Sequence, residues 1–272
     1  MARVYTDGFE MGDNVGLTTA TYGAASVGNT NANYRSGGRS IIVSATGGGY
    51  ASLLDPLPSA YSEFYLRMAV YIVGADSSNW LRVEWRKGTT VLGSIRFFNA
   101  LQPVLYTSTG TPVATGTTRI YPGIWYVIEL HVKIAELADG GKLELKVDGK
   151  AVEATFDGDT KPGADTTVDG LFWWCDSSCT MYFDDFAIND TTGGTDNSWC
   201  GDGKIKMILP NGTITNQLVG SDGDSVNNHL HVDEIPSDSD TSYVQGTVVD
   251  EEDLYELAAC GLSGVVIFGI WT

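Results

Sequence analysis

Carboxylates stand beside aromatic residues in two segments that lie far apart in the chain. Asp7 and Glu10 are near the start, and Asp184 and Asp185 lie about two thirds of the way along. Both segments alternate apolar and polar residues, which is the period-2 pattern of a half-buried strand. If the two strands pair, the four carboxylates converge, and hard oxygen ligands of this kind suit Ca²⁺. The alternative is that they point outward from an edge strand and hinder aggregation.

Residue patterns that support catalysis are missing from the sequence. Glu63 and Glu84 stand alone on predicted strands, and His131 is a single histidine on another. The closely spaced carboxylates of a glycosidase are not found, nor is Gly-x-Ser-x-Gly, a P-loop or a dinucleotide fingerprint. The sequence therefore predicts a protein that is not an enzyme, with no catalytic residues and no cofactor beyond a structural Ca²⁺.

Tryptophans offer aromatic surface that could contact a sugar or a partner subunit. Those available are Trp80, Trp85, Trp173 and Trp174. Because successive side chains of a strand point to opposite faces, one of the adjacent pair Trp173 and Trp174 should lie in the core and the other should point outward. The outward ring is a sugar platform or a subunit contact, and the sequence leaves both alternatives open.

An apolar run closes the sequence, from Gly264 to Trp271, and includes Phe268. A terminal strand of this kind presents an unpaired backbone edge and an apolar patch. Pairing with a second copy of the chain would satisfy both, which predicts a homo-oligomer, with a trimer as one form. The alternative is that the strand is buried inside its own domain.

The composition is typical of an all-β protein that binds neither nucleic acid nor the interior of a membrane. There are 33 glycines, aromatic residues make up 11% and charged residues only 18%, as in strands joined by tight turns. The net charge of −18 opposes contact with phosphates. No run of about 18 apolar residues is present to span a membrane.

Cysteine and histidine spacings give weak signals for metal. Cys175 and Cys179 bracket a turn and could pair across a hairpin, but the start of the chain shows no secretion signal, which favours buried free thiols. His229, His231 and Asp233 alternate on a predicted strand, so a zinc site is one interpretation and a purely structural role is the other.

Strand patterns follow one another at hairpin spacing from about residue 40 to residue 190, and Asp148-Gly149 has the sequence of a tight turn. This succession predicts an antiparallel β-sandwich. A linker rich in Gly, Thr and Asn then separates two predicted domains, residues 1–192 and a smaller β-rich domain over 193–272 that is the expected assembly region.

The order of these segments resembles the concanavalin A-like lectin/glucanase fold, also called laminin-G-like, across about residues 3–190. The resemblance rests on the strings DGFE, EFYLRMAVYI, IWYVIELHVKI followed by GKLELKVDGKAV, and MYFDDFAIND. It implies a jelly-roll sandwich, and modules of this fold commonly hold a structural Ca²⁺ near their joined termini.

Later strings are similar to those of a family of tailed-bacteriophage and prophage virion proteins, in which a laminin-G-like domain precedes a second β-domain. They are FDDFAIND, NSWCGDGKIKMILPNG, NHLHVDE and DLYEL. The resemblance implies a non-enzymatic structural subunit, present in many copies and either capsid-decorating or tail-associated. Its location would be the virion, assembled in the bacterial cytoplasm, and its partners itself and other virion proteins. The alternatives are a carbohydrate-binding adhesion module on the phage particle, with a cell-surface glycan as partner, and a polysaccharide-cleaving enzyme, which the missing carboxylates oppose.

Overall fold

The structure is a computed structural model and describes residues 3–12, 17–73, 81–98, 102–161, 163–176, 178–235 and 241–259. The chain divides into two compact units, unit 1 (Met1–Lys206) and unit 2 (Met207–Thr272). In the described ranges no helix is long and apolar enough to cross a membrane.

Unit 1 is built from strands, with one 3₁₀ turn at Leu137–Asp139 and no α-helix in its described part. Thirteen strands hydrogen-bond into a single antiparallel sheet. They are β1 (Arg3–Asp7), β2 (Thr18–Thr30), β3 (Ser40–Tyr61), β4 (Glu63–Val73), β5 (Leu81–Lys87), β6 (Thr90–Phe98), β7 (Gln102–Thr107), β8 (Pro112–Thr115), β9 (Trp125–Lys133), β10 (Lys142–Val147), β11 (Ala154–Asp157), β12 (Val168–Asp176) and β13 (Cys179–Asp190).

The sheet is one hydrogen-bonded path that folds into two layers. Its order is β11-β10-β9-β4-β13-β3-β12-β5-β6-β7-β8, with β1 beside β13 and β2 beside β3. The long strand β3 joins the layers, because residues 41–45 pair with β13 and residues 50–61 pair with β12. We call β11-β10-β9-β4-β13 the first layer and β3-β12-β5-β6-β7-β8 the second layer.

One core lies between the layers. Trp173 of β12 meets Phe183 and Phe186 of β13 with ring centroids 5.6 Å apart in each case. Side chains at alternate positions fill this core, as the strand period requires. The predicted antiparallel sandwich is confirmed, and so is the pairing of its two ends, because Asp7 of β1 lies opposite Phe186. The Asp148-Gly149 turn is confirmed as well, with φ of 52° and 64°.

Cys175 and Cys179 form a disulfide across the turn between β12 and β13. Their Cα atoms lie 6.1 Å apart, which is within the span of a disulfide. The preference for free thiols was therefore wrong for this pair, since the hairpin brings the two cysteines together. Cys200 is free and buried.

Unit 1 extends beyond the predicted boundary at residues 192 and 193 because the next segment packs on its strands. In this segment, residues 193–206, the backbone N–H of Gly201 donates to the Glu129 carboxylate at 2.7 Å. Farther along, the backbone N–H of Ile205 donates to Asp185 at 2.6 Å. Buried carboxylates on β9 and β13 thus bind the segment that the sequence pattern assigned to a linker.

Unit 2 holds short strands and irregular chain in its described part. Two antiparallel pairs are present, β14 (Pro210–Thr215) with β17 (Leu254–Leu257) and β15 (Val219–Gly220) with β16 (Val244–Gln245).

A 3₁₀ turn of unit 2, Asn228–His231, contains His229 and His231. The prediction that these histidines share a strand face was therefore wrong. His231 Nε2 lies 3.1 Å from an Asp222 oxygen, and His229 Nδ1 lies 3.1 Å from the Thr213 hydroxyl. Phe268, Trp271 and the rest of the predicted terminal strand fall outside the described residues.

Candidate functional site

Three of the four carboxylates predicted to bind Ca²⁺ are buried at the junction of β1 and β13. Asp184 and Asp185 have no exposed surface, and Glu10 is 7% exposed. Asp7 lies on β1, where its carboxylate accepts the backbone N–H of Phe9 at 2.6 Å. The pairing of the two end strands thus brings the predicted carboxylates to one region of unit 1.

The loop between β2 and β3 supplies most of the hydrogen bonds to these carboxylates. Asp184 accepts the backbone N–H groups of Arg35 at 2.6 Å and Ser36 at 3.1 Å. Asp185 forms an ion pair with the Arg35 guanidinium at 2.6 Å and accepts the Ser36 hydroxyl. The backbone N–H groups of Gly38 and Arg39 donate to Glu10.

Protein donors occupy much of the predicted calcium site. A guanidinium beside Asp185 supplies positive charge where a cation would, and in the described ranges no three His, Cys, Asp or Glu side chains are arranged to hold a metal ion. Burial raises the pKa of Asp184 to about 7 and that of Glu10 to about 7, and one Glu10 oxygen has no hydrogen-bond partner. As they stand, the four side chains do not fit one cation cage, and the calcium site stays a prediction from the sequence.

The outward side of the second layer carries aromatic rings and arginines. On β12, Trp173 is buried in the core whereas Phe172 and Trp174 are half-buried on the opposite side. This alternation confirms that the adjacent tryptophans point in opposite directions, and it removes Trp173 from the ligand-contacting residues. Trp85 is also fully buried, so it cannot contact a ligand either, and Trp80 lies outside the described residues.

We call this side the arginine–aromatic face. Its described members come from β2, β3, β12, β5, β6 and β7 and comprise Tyr22, Tyr50, Ser52, Phe172, Trp174, Arg82, Glu84, Arg86, Ser94, Arg96 and Tyr106.

A row of stacked rings crosses three strands of the face. Tyr50 stacks on Trp174 with ring centroids 4.7 Å apart and planes at 12°. Tyr22 stacks on Tyr50 at 5.7 Å and 17°. Tyr22 ends the row and is 66% exposed. At the other end the Arg82 guanidinium lies 4.9 Å from the Trp174 ring centroid.

Arginines cover the remaining rings. The Arg86 guanidinium carbon lies 3.5 Å from the Phe172 ring centroid, and that of Arg96 lies 4.1 Å from the ring centroid of Tyr106. Such cation–π contacts hold a planar guanidinium in one orientation.

Glu84 forms ion pairs with two of these arginines, Arg82 and Arg86. It is 2% exposed, and its carboxylate binds Arg82 Nε at 2.8 Å and Arg86 Nε at 2.7 Å. The three residues alternate with Val83 and Trp85 of the core. Glu84 was expected to stand alone on its strand, but Arg82 at i−2 and Arg86 at i+2 are its partners. The strand period could have indicated this, because residues two apart share one side of a strand.

His131 is buried on the first layer and is held by neighbouring side chains. It is 6% exposed, its Nδ1 lies 2.7 Å from Glu144 and its Nε2 lies 2.9 Å from Glu63. The Tyr65 ring stacks on the imidazole at 4.2 Å. Both ring nitrogens of His131 therefore have carboxylate partners. The absence of enzymatic activity stays a prediction.

Comparison with known proteins identifies the fold. No protein-family model matches the chain, and no curated protein matches it. Among solved structures, "Cellulose induced protein, Cip1" is similar with a TM-score of 0.55 and 16% identity, over 73% of this chain and 100% of that one. A Bacillus subtilis protein of unknown function with a galectin-like fold has a TM-score of 0.50 and 10% identity, over 70% of this chain and 96% of that one. The chain therefore has the β-sandwich fold that the concanavalin A-like resemblance implied; the virion family stays a prediction.

Proposed function

We propose that this chain is a carbohydrate-binding module that uses the arginine–aromatic face. The observation that supports it best is the row of Tyr22, Tyr50 and Trp174, stacked on one another and ending in a ring that is 66% exposed. An exposed aromatic row beside oriented polar groups marks a binding surface.

The chemistry of a sugar matches this surface. A pyranose has apolar C–H faces and a rim of hydroxyl groups, so one side packs on an aromatic ring while the rim needs hydrogen-bond donors and acceptors. Tyr22 offers the ring face, and Tyr50 and Trp174 support it from behind. The guanidinium of Arg82, at the end of the row, supplies donors.

A glycan-array screen with the full chain tests the proposal, followed by titration of a bound glycan. Tyr22→Ala should weaken binding about tenfold, because losing one stacking platform costs about 1.4 kcal/mol. Tyr121→Ala is the matched control, since Tyr121 is 52% exposed but lies in the loop before β9. Absence of binding to every glycan, or equal losses in the two variants, would contradict the proposal.

The phage location rests on the sequence strings alone. We infer from them that the module is carried on a virion in many copies, as a capsid or tail component, where binding to a cell-surface glycan would serve adhesion. Mass spectrometry of purified particles from the producing bacterium tests this: the chain should be present in stoichiometric amounts, and its absence from particles would exclude a virion role while leaving glycan binding intact.

A further inference from the structure

The arginine–aromatic face has a charge opposite to that of the whole chain. Its described side chains include Arg82, Arg86 and Arg96 but one carboxylate, Glu84, so the tally on this face is 3 − 1 = +2. The chain carries a net charge of −18. Close to the face the positive charge attracts an anion, whereas the negative charge of the rest of the chain repels it.

Arg82 and Arg96 lie directly opposite each other on β5 and β6. Like charges at opposed positions of neighbouring strands destabilise a sheet. Trp174 occupies the next position of the same row, on β12, opposite Arg82. Their repulsion is relieved within the face, because Arg82 pairs with Glu84 and the two guanidinium groups lie over different rings, Trp174 and Tyr106. The face therefore presents two separate, oriented guanidinium groups on the same side of the layer as the aromatic row.

The guanidinium groups are held in place before any ligand arrives. Arg82 and Arg86 are 21% and 19% exposed in their side chains, and both bind Glu84 from within the face. Each also lies over an aromatic ring. A partly desolvated, oriented guanidinium forms strong bidentate hydrogen bonds with a carboxylate or a sulfate.

Resting on the proposed function, we propose that the face selects anionic saccharides, whose carboxylate or sulfate groups bind the arginine row while a sugar ring packs on the Tyr22 end. Neutral glycans would use the aromatic row and the hydrogen-bond donors of the face, without an ionic contact. The ligand class is thus a polysaccharide with a regular repeat of negative charge.

Four polymers test this with the full chain: polygalacturonate, the same polymer after carboxyl reduction, dextran sulfate and dextran. The chain should bind at least one of the anionic polymers about tenfold or more tightly than its neutral counterpart, and binding should weaken as salt is added, because the attraction between the arginines and the polymer is screened. The comparison of polygalacturonate with its carboxyl-reduced form tests recognition of carboxylate groups, and the comparison of dextran sulfate with dextran tests recognition of sulfate groups.

Substitution of single arginines tests whether the preference for anionic polymers arises at this face. Arg96→Gln should weaken binding of the anionic polymer about tenfold, which corresponds to one lost charge-assisted contact, and this loss should exceed any loss of binding to the neutral counterpart. Arg119→Gln is the matched control, because the Arg119 guanidinium also lies over a tyrosine, Tyr121, at 5.4 Å but outside the face. Arg96 is chosen because replacing Arg82 or Arg86 would leave buried Glu84 short of a partner.

The outcomes separate the two proposals. Equal binding of anionic and neutral polymers would overturn the charge selection and leave carbohydrate binding standing. Binding of none of the four polymers and no array glycan would overturn both. If Arg96→Gln does not fold, as judged by its melting curve, the carboxyl-reduction and salt comparisons on the unaltered chain still decide the question.

Discussion

Gly93 sets the packing beneath the candidate site. It lies opposite Trp85 in the β5–β6 register, and a Cβ on Gly93 would lie 2.6 Å from three atoms of the indole ring. Trp85 stands between Glu84 and Arg86, so the position of this ring controls how β5 presents its arginines. The aromatic core therefore requires glycine at this position.

Gly93→Ala should destabilise unit 1 by about 1–3 kcal/mol, the usual cost of forcing extra volume into a packed core. Denaturant unfolding measures it. Gly194→Ala is the control, since no atom lies within 4 Å of a Cβ at that position. Similar stability in the two variants would show that Trp85 can move aside.

Three buried carboxyl groups link stability to pH. Burial raises the pKa of Asp55 to about 7, and the nearby charge of Asp7 adds to the effect. Burial likewise raises the pKa of Glu10 and Asp184 to about 7. In the unfolded chain the pKa of a carboxyl group is about 4. Between about pH 4 and pH 7 the folded chain therefore retains protons that the unfolded chain has released, and stability falls as the pH rises.

The melting temperature should accordingly be higher at pH 5 than at pH 8. Asp55→Asn removes one buried titrating group, so it should raise the melting temperature at pH 8 and reduce the difference between the two pH values. Asp159→Asn, at an exposed position, should leave that difference unchanged. A melting temperature that rises from pH 5 to pH 8 would contradict this account.

At the scale of elements, strand alternation made much of the sandwich predictable. The strands β4, β5, β9, β10 and β13 form where the sequence patterns predicted strands, and the end strands pair as expected. The predicted succession of strands begins at about residue 40, so the β2 strand was missed. Gly47 and Gly48 lie within β3. These glycines have φ of 61° and 81°, so they bend the strand without ending its pairing with β2.

The candidate site was only partly predictable. The period of β12 identified one outward tryptophan, but it could not show that β12 lies between β3 and β5. The contacts of Trp174 with Tyr50 and Arg82 join residues that are far apart in sequence. Sequence alternation tells which side of a strand a residue occupies, whereas the order of strands depends on long-range packing.

Residues 193–206 act as part of unit 1. Besides the hydrogen bonds to Glu129 and Asp185, Trp199 lies against the Tyr65 ring at 5.3 Å and under the Lys146 ammonium at 4.0 Å. Without this segment, the buried carboxylates of Glu129 and Asp185 would each lose a backbone N–H donor, which is costly.

A fragment ending at residue 206 should therefore melt at a higher temperature than one ending at residue 192. Circular dichroism of the two fragments measures the difference. Equal melting temperatures would contradict this assignment of the boundary. Asp196→Ala in the longer fragment is the control, because it changes the segment but leaves Trp199 and Gly201 in place, so the melting temperature should stay the same.

For the whole molecule, the calcium prediction is tested by mass action. A metal that binds only the folded state raises the melting temperature. The prediction expects a higher value in millimolar-scale Ca²⁺ than in chelator, and an effect that Glu10→Gln abolishes. Identical curves would contradict the prediction and leave Glu10, Asp184 and Asp185 as acceptors that fix the loop between β2 and β3.

The central claim is that unit 1 binds carbohydrate on one side of its second layer. A crystal structure of the chain with an oligosaccharide from the screen tests this most directly. The account predicts a sugar ring against Tyr22 and a hydroxyl or anionic group within hydrogen-bond distance of Arg82 or Arg96. A glycan bound on the first layer, at the turn of Asp148 or in unit 2, with the arginine–aromatic face unoccupied, would contradict it.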